Sequence, residues 1–413
     1  MLLGGAPAFA SPPDYELRLD ERRPAVVQMT LNLASDEERK LTVQNGTESL
    51  LIAPPSCDTG PLAAAGTTAW IKPKGCSKVT WPARLALQDS AGVDATAPAS
   101  AWSAKHGLWL ITKSLPWLGA QPELESTARA AAQTKAGNEF TRDFRLTPSQ
   151  APLALVINTR HPRSYRSGGL EMRVQGETPT GPSADRLQQK VAETWSAWKR
   201  DVVADCETAP KRIDILWTHA RAGAEPGFFA SSGSDVILMQ HVPGDDEAEA
   251  KLRSAILLIG AHEGFHTLGG AIPGTRPAWV NESWASYFAY EAAKRHLDKE
   301  SLALARQWVE MPANPSLLAA QRAHDAGDQS QTLVFYSKGA RFWGEIEAVL
   351  DGPGNASGKL AALIKRSRGF AGIDWSSAEA VATYLDAHSS GRARAIVLCY
   401  LEGVGCSTTL GSP

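Results

Sequence analysis

Two histidines and one glutamate stand together in the segment Ala261-His262-Glu263-Gly264-Phe265-His266. The segment lies in a helix-compatible run from about Asp246 to Leu268. Four residues of α-helix complete slightly more than one turn, with a rise of about 6 Å. His262 and His266 therefore project from one face, close enough for both imidazoles to bind one Zn²⁺. Glu263 can reach a water on that metal without being a ligand itself.

The alternative is that these three groups occupy the polar side of a buried helix. The residues that precede the motif are apolar: Ala255, Ile256, Leu258 and Ile259. Ionisable groups without partners are costly in such surroundings. The pattern therefore favours a metal site.

A catalytic zinc site has three protein ligands and one open position. Glu282 is the candidate third ligand, in the segment Pro277–Phe288. Pro277 suits the first turn of a new helix, and Gly269-Gly270 with Pro273-Gly274 allows the chain to reverse before it. An antiparallel return brings Glu282 over the two histidines. A surface glutamate is the alternative, but the neighbours are apolar: Val280, Trp284, Tyr287 and Phe288.

The chain before these residues has the pattern of short β-strands from Tyr15 to about Gln175. Turn residues such as Asn45-Gly46, Pro54-Pro55 and Gly168-Gly169 separate the segments. Strands are predicted at Tyr15–Asp20, around Val27 to Leu33, and at Lys40–Val43, Leu50–Ala53, Ala69–Ile71, Lys78–Trp81, Leu108–Thr112, Leu153–Thr159 and Leu170–Val174. Many short strands favour an antiparallel sandwich or a saddle-like sheet.

Helices dominate after the breaker cluster Thr178–Ser183. A helix is predicted at Ala184–Val202, strands at Arg212–Trp217 and Val236–Gln240, and then a long helix capped by Asp245 or Asp246. The predicted fold class is α+β multidomain. An antiparallel β domain at 11–176 precedes an α+β domain at 177–345 and a helical segment at 346–413.

H-E-x-x-H followed by Trp279-x-Asn281-Glu282-x-x-Ala285-x-Tyr287 resembles the gluzincin metallopeptidases. The closest pattern is that of the aminopeptidase N-like family, which includes leukotriene hydrolase, and of the related glycyl aminopeptidases. The segment Tyr336-Ser337-Lys338-Gly339 is similar to the Y-x-K-G segment of that family. The resemblance covers roughly 212–344 with specific motifs, and it implies that the α+β domain is thermolysin-like.

The resemblance implies zinc-dependent hydrolysis of a peptide or protein substrate. His262, His266 and Glu282 would hold one Zn²⁺, which lowers the pKa of its bound water toward about 7. Glu263 would be the general base and then the general acid. Tyr336 would stabilise the oxyanion, a contact whose loss typically costs about 10²–10³ in rate. From its residues alone, Tyr336 could equally be a core tyrosine in a cluster with Phe335 and Phe342.

The sequence departs from the aminopeptidase N pattern in two ways, and these differences leave other functions open. The interval from His266 to Glu282 is shorter than in aminopeptidase N. The family's Gly-x-Met-Glu-Asn strand, whose glutamate holds the substrate amine, corresponds here to Gly227–Asp235, which offers Asp235 as its sole acid. The alternatives are therefore a gluzincin endopeptidase and a non-catalytic zinc scaffold. Retention of Glu263 argues against the scaffold, because a structural zinc site needs no base.

Composition and the lack of certain motifs argue against several other classes of protein. The formal net charge is -2, so a dedicated nucleic-acid binder is not indicated. No apolar stretch reaches transmembrane length, and no G-x-S-x-G elbow of a serine hydrolase occurs. No motif indicates an oligomeric state or particular substrate-binding residues.

The cysteines and the N-terminus favour a periplasmic or secreted protein. Residues 1–10 read MLLGGAPAFA, which we interpret as the remnant of a signal peptide. Cys57 with Cys76 and Cys399 with Cys406 can each close a local disulfide, which leaves Cys206 odd. Reduced cysteines in a cytosolic protein are the alternative.

Overall fold

The computed structural model describes residues 14–20, 22–23, 25–33, 37–43, 50–85, 101–103, 107–111, 115–119, 126–133, 139–146, 153–156, 162–176, 182–203, 209–219, 227–232, 235–242, 249–272, 274–351 and 358–404. Several predictions fall outside these residues. They are the signal remnant at 1–10, the helix cap at Asp245 or Asp246, and the cysteines Cys206 and Cys406.

The chain divides into two compact units. The first comprises Met1–Arg163, Val174–Thr178 and Asp214–Val242, and the second comprises Ser164–Arg173, Pro179–Ile213 and Pro243–Pro413. The predicted fold class, an antiparallel β-sheet domain followed by an α+β part rich in helices, is confirmed. The domain boundaries drawn from the sequence stay predictions.

The strands are β1 (Tyr15–Asp20), β2 (Val26–Asn32), β3 (Arg39–Val43), β4 (Ser56–Cys57), β5 (Gly60–Pro61), β6 (Ala63–Ala64), β7 (Ala69–Lys72), β8 (Lys78–Arg84), β9 (Ala101–Ser103), β10 (Gly107–Ile111), β11 (Leu118–Gly119), β12 (Ser126–Gln133), β13 (Glu139–Leu146), β14 (Leu153–Val156), β15 (Arg163–Ser167), β16 (Leu170–Gly176), β17 (Arg212–His219), β18 (Gly227–Ser232) and β19 (Val236–Val242). The helices are α1 (Pro182–Asp201), α2 (Glu249–Gly269), α3 (Ala278–His296), α4 (Lys299–Glu310), α5 (Leu317–Asp325), α6 (Thr332–Val334), α7 (Ala340–Val349), α8 (Gly358–Arg366), α9 (Ala378–Asp386) and α10 (Arg394–Glu402). A π-helical turn, Phe335–Gly339, joins α6 to α7.

The first unit is built on sheets. The largest runs in the order β13-β12-β1-β2-β8-β4-β5 and is antiparallel except for the parallel pair β1–β12. Alternate residues of β8, Val79 and Trp81, are fully buried, as expected of a strand with one face on a core. The Trp81 indole also donates a hydrogen bond to the carbonyl of Pro116 at 2.9 Å.

The predicted strand at Leu50–Ala53 is wrong. Leu51 forms only an isolated bridge to Ala83, and the Ile52 amide donates to the Pro82 carbonyl at 3.0 Å. Pro54 and Pro55 follow directly and have no backbone N–H. The pairing therefore cannot continue past Ala53.

The second unit packs helices around aromatic side chains. Phe265 of α2 stacks on Phe288 of α3 with ring centroids 4.9 Å apart, and Trp198 of α1 meets Phe265 edge to face at 5.6 Å. All three side chains are buried. These contacts hold α2, the helix that carries the H-E-x-x-H motif, between α1 and α3.

One predicted disulfide is present, since Cys57 and Cys76 are bonded with Cα atoms 6.1 Å apart. Cys399 is also disulfide-bonded, and the predicted pair of Cys399 with Cys406 involves a residue outside the described ones. Within the described helices, none combines the length and apolarity that a membrane span requires.

Candidate metal centre

The structure brings His262, His266 and Glu282 to one point. The Nε2 atoms of the two histidines are 3.0 Å apart, and the Oε2 atom of Glu282 lies 3.2 Å from Nε2 of His262 and 3.1 Å from Nε2 of His266. The side chains are 14%, 21% and 24% exposed, so the cluster is largely shielded and still reachable from solvent.

This donor set fits a zinc ion. Zinc binds imidazole nitrogen and carboxylate oxygen at about 2.0–2.2 Å, which separates tetrahedral ligand atoms by about 3.3 Å. The three observed separations are close to that value. Three lone pairs directed at one point repel one another unless a proton or a cation lies between them. In the described part of the chain, the same three residues form the group of histidine and acidic side chains able to hold a metal.

The electrostatics of the cluster also favour a cation. Burial of His266 opposes protonation, but the carboxylates of Glu282 and Glu263 outweigh it and raise the pKa of His266 to about 9. Burial would raise the pKa of Glu282, yet the two histidines hold it far below its usual range. The carboxylates of Glu282 and Glu263 thus give this position a negative potential, which favours a cation.

A hydroxyl group orients the first histidine. Ser286 Oγ lies 3.2 Å from Nδ1 of His262. If the Nδ1–H donates to this oxygen, the tautomer leaves the Nε2 lone pair free to bind a metal. Ser286 follows Glu282 by one helical turn on α3, so one face of α3 supplies both a candidate ligand and its supporting hydrogen bond.

One glycine, Gly264, lets α1 lie against the motif helix. Trp195 of α1 is fully buried, and its indole donates to the carbonyl of Gly260 at 3.1 Å. A Cβ atom on Gly264 would lie 1.9 Å from the Trp195 ring nitrogen. Close packing against Trp195 therefore requires a glycine at position 264, the first residue after the H-E pair.

Arg276 joins the end of α2 to the start of α3. Its guanidinium donates to the carbonyls of Gly269 at 3.2 Å and Ile272 at 3.3 Å, and to Asn281 Oδ1 at 3.0 Å. Burial lowers the pKa of this guanidinium. Asn281 immediately precedes Glu282, so this network sets how the chain returns over the histidines. Pro277, predicted in the first turn of α3, is instead its N-cap residue.

Tyr336 lies beside the three converging side chains. Its ring meets His262 edge to face at 5.2 Å, and it belongs to the π-helical turn, a distortion that is frequent at functional sites. Burial, with the nearby charges of Glu282 and Glu263, raises the pKa of Tyr336.

The residues after Tyr336 fix this turn. The Lys338 ammonium donates to the carbonyl of Pro315 at 2.9 Å. A Cβ atom on Gly339 would lie 2.3 Å from Cβ of Ser283, the residue after Glu282. Lys338 thus attaches the turn to the residues just before α5, and Gly339 allows it to approach α3.

Sequence reasoning did not identify Ser286, Arg276 or the tryptophan beside Tyr336, Trp308. Ser286 could have been found, because it follows Glu282 by four residues and so shares its helical face. Arg276 and Trp308 carry no comparable signal, since their roles depend on tertiary contacts.

No protein-family model matches the chain, and no curated protein matches it by sequence. Solved structures do match. An aminopeptidase N family protein from Idiomarina loihiensis gives a TM-score of 0.60 at 13% identity, covering 86% of this chain and 69% of that one. The M1 zinc metallopeptidase from Deinococcus radiodurans gives 0.52 at 13% identity, covering 94% and 93%. A mutant of that enzyme gives 0.55 at 13% identity, covering 97% and 95%.

The chain has an aminopeptidase N-like fold. At this identity the likeness concerns the fold, and function is argued from the site itself.

Proposed function

We propose that the protein is a zinc-dependent peptidase. The observation that carries the proposal is the convergence of two imidazole nitrogens and one carboxylate oxygen, with every separation at or below 3.2 Å. Glu263 lies between the two histidines on α2, and Tyr336 faces His262. The aminopeptidase N-like fold agrees with this chemistry.

Different residues of the chain perform metal binding, proton transfer and oxyanion stabilisation. Zinc, when bound by His262, His266 and Glu282, would supply Lewis acidity and an acidified water. Glu263 takes a proton from the attacking water and delivers it to the leaving amine. Tyr336 donates a hydrogen bond from its phenol O–H to the oxyanion.

The first form of the proposal is an aminopeptidase-like enzyme that removes N-terminal residues. A second form, internal cleavage of a peptide or protein, is favoured by the sequence of the segment Gly227–Asp235. By resemblance this segment corresponds to the family's amine-binding strand, but it has no glutamate, and Asp235 is its sole acid. An endopeptidase needs no group that holds the substrate's α-amine.

We also propose a periplasmic or secreted location. The disulfide between Cys57 and Cys76 supports it, because disulfides persist mainly in oxidising compartments.

The test compares peptide-library cleavage by the zinc-loaded protein with cleavage by the Glu263→Gln variant. Wild type should cleave, and Glu263→Gln should retain zinc and lose at least about 100-fold in rate, the range typical of a lost general base. Glu249→Gln is the matched control, since Glu249 stands on the exposed first turn of the same helix, and it should cleave normally.

Product masses then separate the two forms of the proposal. Loss of single N-terminal residues supports the aminopeptidase, and internal cuts support the endopeptidase. Equal cleavage by wild type and Glu263→Gln would overturn the proposed base. Zinc retained by a wild type that cleaves nothing would favour the non-catalytic scaffold.

A further inference from the structure

Two large exposed apolar side chains are associated with Tyr336, Trp308 by a ring contact and Leu333 by its position in the chain. Among the described residues, the exposed large apolar side chains are Ile52, Trp308, Leu333 and Val404. Trp308 is 47% exposed and Leu333 is 53% exposed. Leu333 precedes Tyr336 by three residues, and Trp308 stacks on the Tyr336 ring. A large exposed apolar side chain in contact with a candidate catalytic residue is well placed to meet a ligand.

Three rings lead from the metal centre to this exposed group. The His262 ring meets Tyr336 edge to face at 5.2 Å, and Tyr336 stacks with Trp308 at 6.0 Å and an interplanar angle of 28°. The indole therefore lies one aromatic ring away from a candidate zinc ligand.

The position of Trp308 is set by the helix that carries it. The side chain of Asp298 accepts a hydrogen bond from the amide of Ser301 and so caps α4. Arg253 of α2 reaches both residues, Asp298 Oδ2 at 3.2 Å and Ser301 Oγ at 3.2 Å. Helix α4 also buries Ala305 and Val309. Trp308 is therefore exposed on a capped helix that is tied to the motif helix.

The charges nearest to Trp308 along α4 are paired with each other. Arg306 and Glu310, which flank it in sequence, form an ion pair. The exposed indole of Trp308 is therefore an apolar surface whose flanking charges are already paired. Such a surface is complementary to an uncharged aliphatic or aromatic group.

We propose that Trp308 and Leu333 form a subsite for a large apolar side chain of the substrate, next to the peptide bond that is cut. The inference rests on the proposed peptidase function and adds a substrate preference to it. Burial of a leucine or phenylalanine side chain against this surface should raise kcat/KM by about 10- to 100-fold over alanine at the same substrate position.

The test uses peptide pairs that differ by Phe or Ala at the residue on either side of the cleaved bond. Wild type should prefer Phe at one of these two positions by at least about tenfold. Trp308→Ala should lose most of that preference through KM, and Trp308→Phe should keep most of it. Val404→Ala, which truncates another exposed apolar residue of the same unit, should behave as wild type.

A merely structural role for Trp308 has a different signature. If the indole only positions Tyr336, Trp308→Ala lowers kcat equally for the Phe and Ala peptides, and the subsite is disproved. An unchanged Phe preference in Trp308→Ala disproves it as well. Unfolding curves should show that Trp308→Ala is folded, as expected for an exposed side chain.

Binding measurements separate this inference from the proposed function. Calorimetry would compare the Phe and Ala peptides on Glu263→Gln and on Glu263→Gln combined with Trp308→Ala, each loaded with zinc. A Phe preference in the first and its loss in the second supports the subsite whatever the rate of cleavage. Equal binding of the two peptides to Glu263→Gln overturns it, even if wild type proves to be a peptidase.

Discussion

Gly339 lies so close to Ser283 that a Cβ atom on the glycine would stand 2.3 Å from Cβ of the serine. The Ser283 hydroxyl, in turn, accepts a hydrogen bond from the Trp343 indole at 2.8 Å. This contact fixes the separation between the π-helical turn that carries Tyr336 and the helix α3 that carries Glu282. The proposed oxyanion donor and the proposed third ligand are thus held together through the residues beside them.

Replacing Gly339 by alanine should separate these two elements. Overpacking of a buried contact typically costs about 1–3 kcal/mol, and displacement of Tyr336 should lower peptide cleavage about tenfold or more. Urea unfolding and kcat/KM report the two effects. Gly344→Ala in α7 is the matched control, because its Cβ would meet nothing nearer than 3.9 Å. It should be neutral or slightly stabilising, and equal behaviour of the two variants would disprove the packing argument.

Gly264 offers a second test in the motif helix itself. A Cβ atom there would lie within 2.5 Å of three atoms of the buried Trp195 ring, whereas a Cβ on Gly260 would meet Val191 at an ordinary 3.5 Å. Gly264→Ala should therefore lower the free energy of unfolding by about 3 kcal/mol, the upper end for overpacked cores. Gly260→Ala should raise it slightly, since alanine favours helix. Denaturant midpoints of the two variants measure these changes in the free energy of unfolding. A Gly264→Ala protein as stable as wild type would contradict the prediction and show that Trp195 can move.

Ser286 should control metal affinity without being a ligand. Removing the hydroxyl that lies 3.2 Å from His262 Nδ1 frees the ring to rotate and to change tautomer. Ser286→Ala should weaken zinc binding by about 10- to 100-fold, the usual effect of losing such a partner. Competition with a chelator measures the affinity, and Ser286→Thr, which keeps the hydroxyl, is the control. Identical affinities for wild type and Ser286→Ala would remove Ser286 from the site.

Much of the fold follows from local patterns in the chain. The periodicity of Ala184–Val202 predicted α1, and the strands at Arg212–Trp217 and Val236–Gln240 correspond to β17 and β19. The helix of the H-E-x-x-H motif and its return partner were predicted from glycine and proline positions and from apolar spacing. These signals are local, because caps, breakers and periodicity depend on neighbours in sequence.

The strand β12 of the first unit could not be predicted in this way. β12 reads Ser-Thr-Ala-Arg-Ala-Ala-Ala-Gln, a composition that favours helix and has no large apolar residue to show alternation. It is a strand because it pairs with β1 on one side and β13 on the other. Pairing with neighbouring strands therefore outweighs the helix propensity of these residues. Such pairing cannot be seen in a single sequence.

In the candidate site, too, some features could be predicted from the sequence and others depend on tertiary contacts. The residue types and spacing of His262, His266 and Glu282 predicted that they share one point, and the structure places them there. The π-helical turn that holds Tyr336 was not predictable, because an extra residue in a helix leaves no mark on side-chain spacing over so short a segment. The hydrogen bonds of Arg276 could not be predicted either. They go largely to backbone carbonyls, which every residue has, so no residue type in the sequence indicates them.

Zinc stoichiometry tests the central claim most directly. Wild type, Glu263→Gln, His266→Ala and Glu282→Ala would be loaded with zinc, dialysed and measured by elemental analysis. The three-ligand site predicts about one zinc per chain in wild type and in Glu263→Gln, and a large loss of zinc in His266→Ala and Glu282→Ala. Stoichiometric zinc in His266→Ala and Glu282→Ala, or a wild type that binds none, would contradict it.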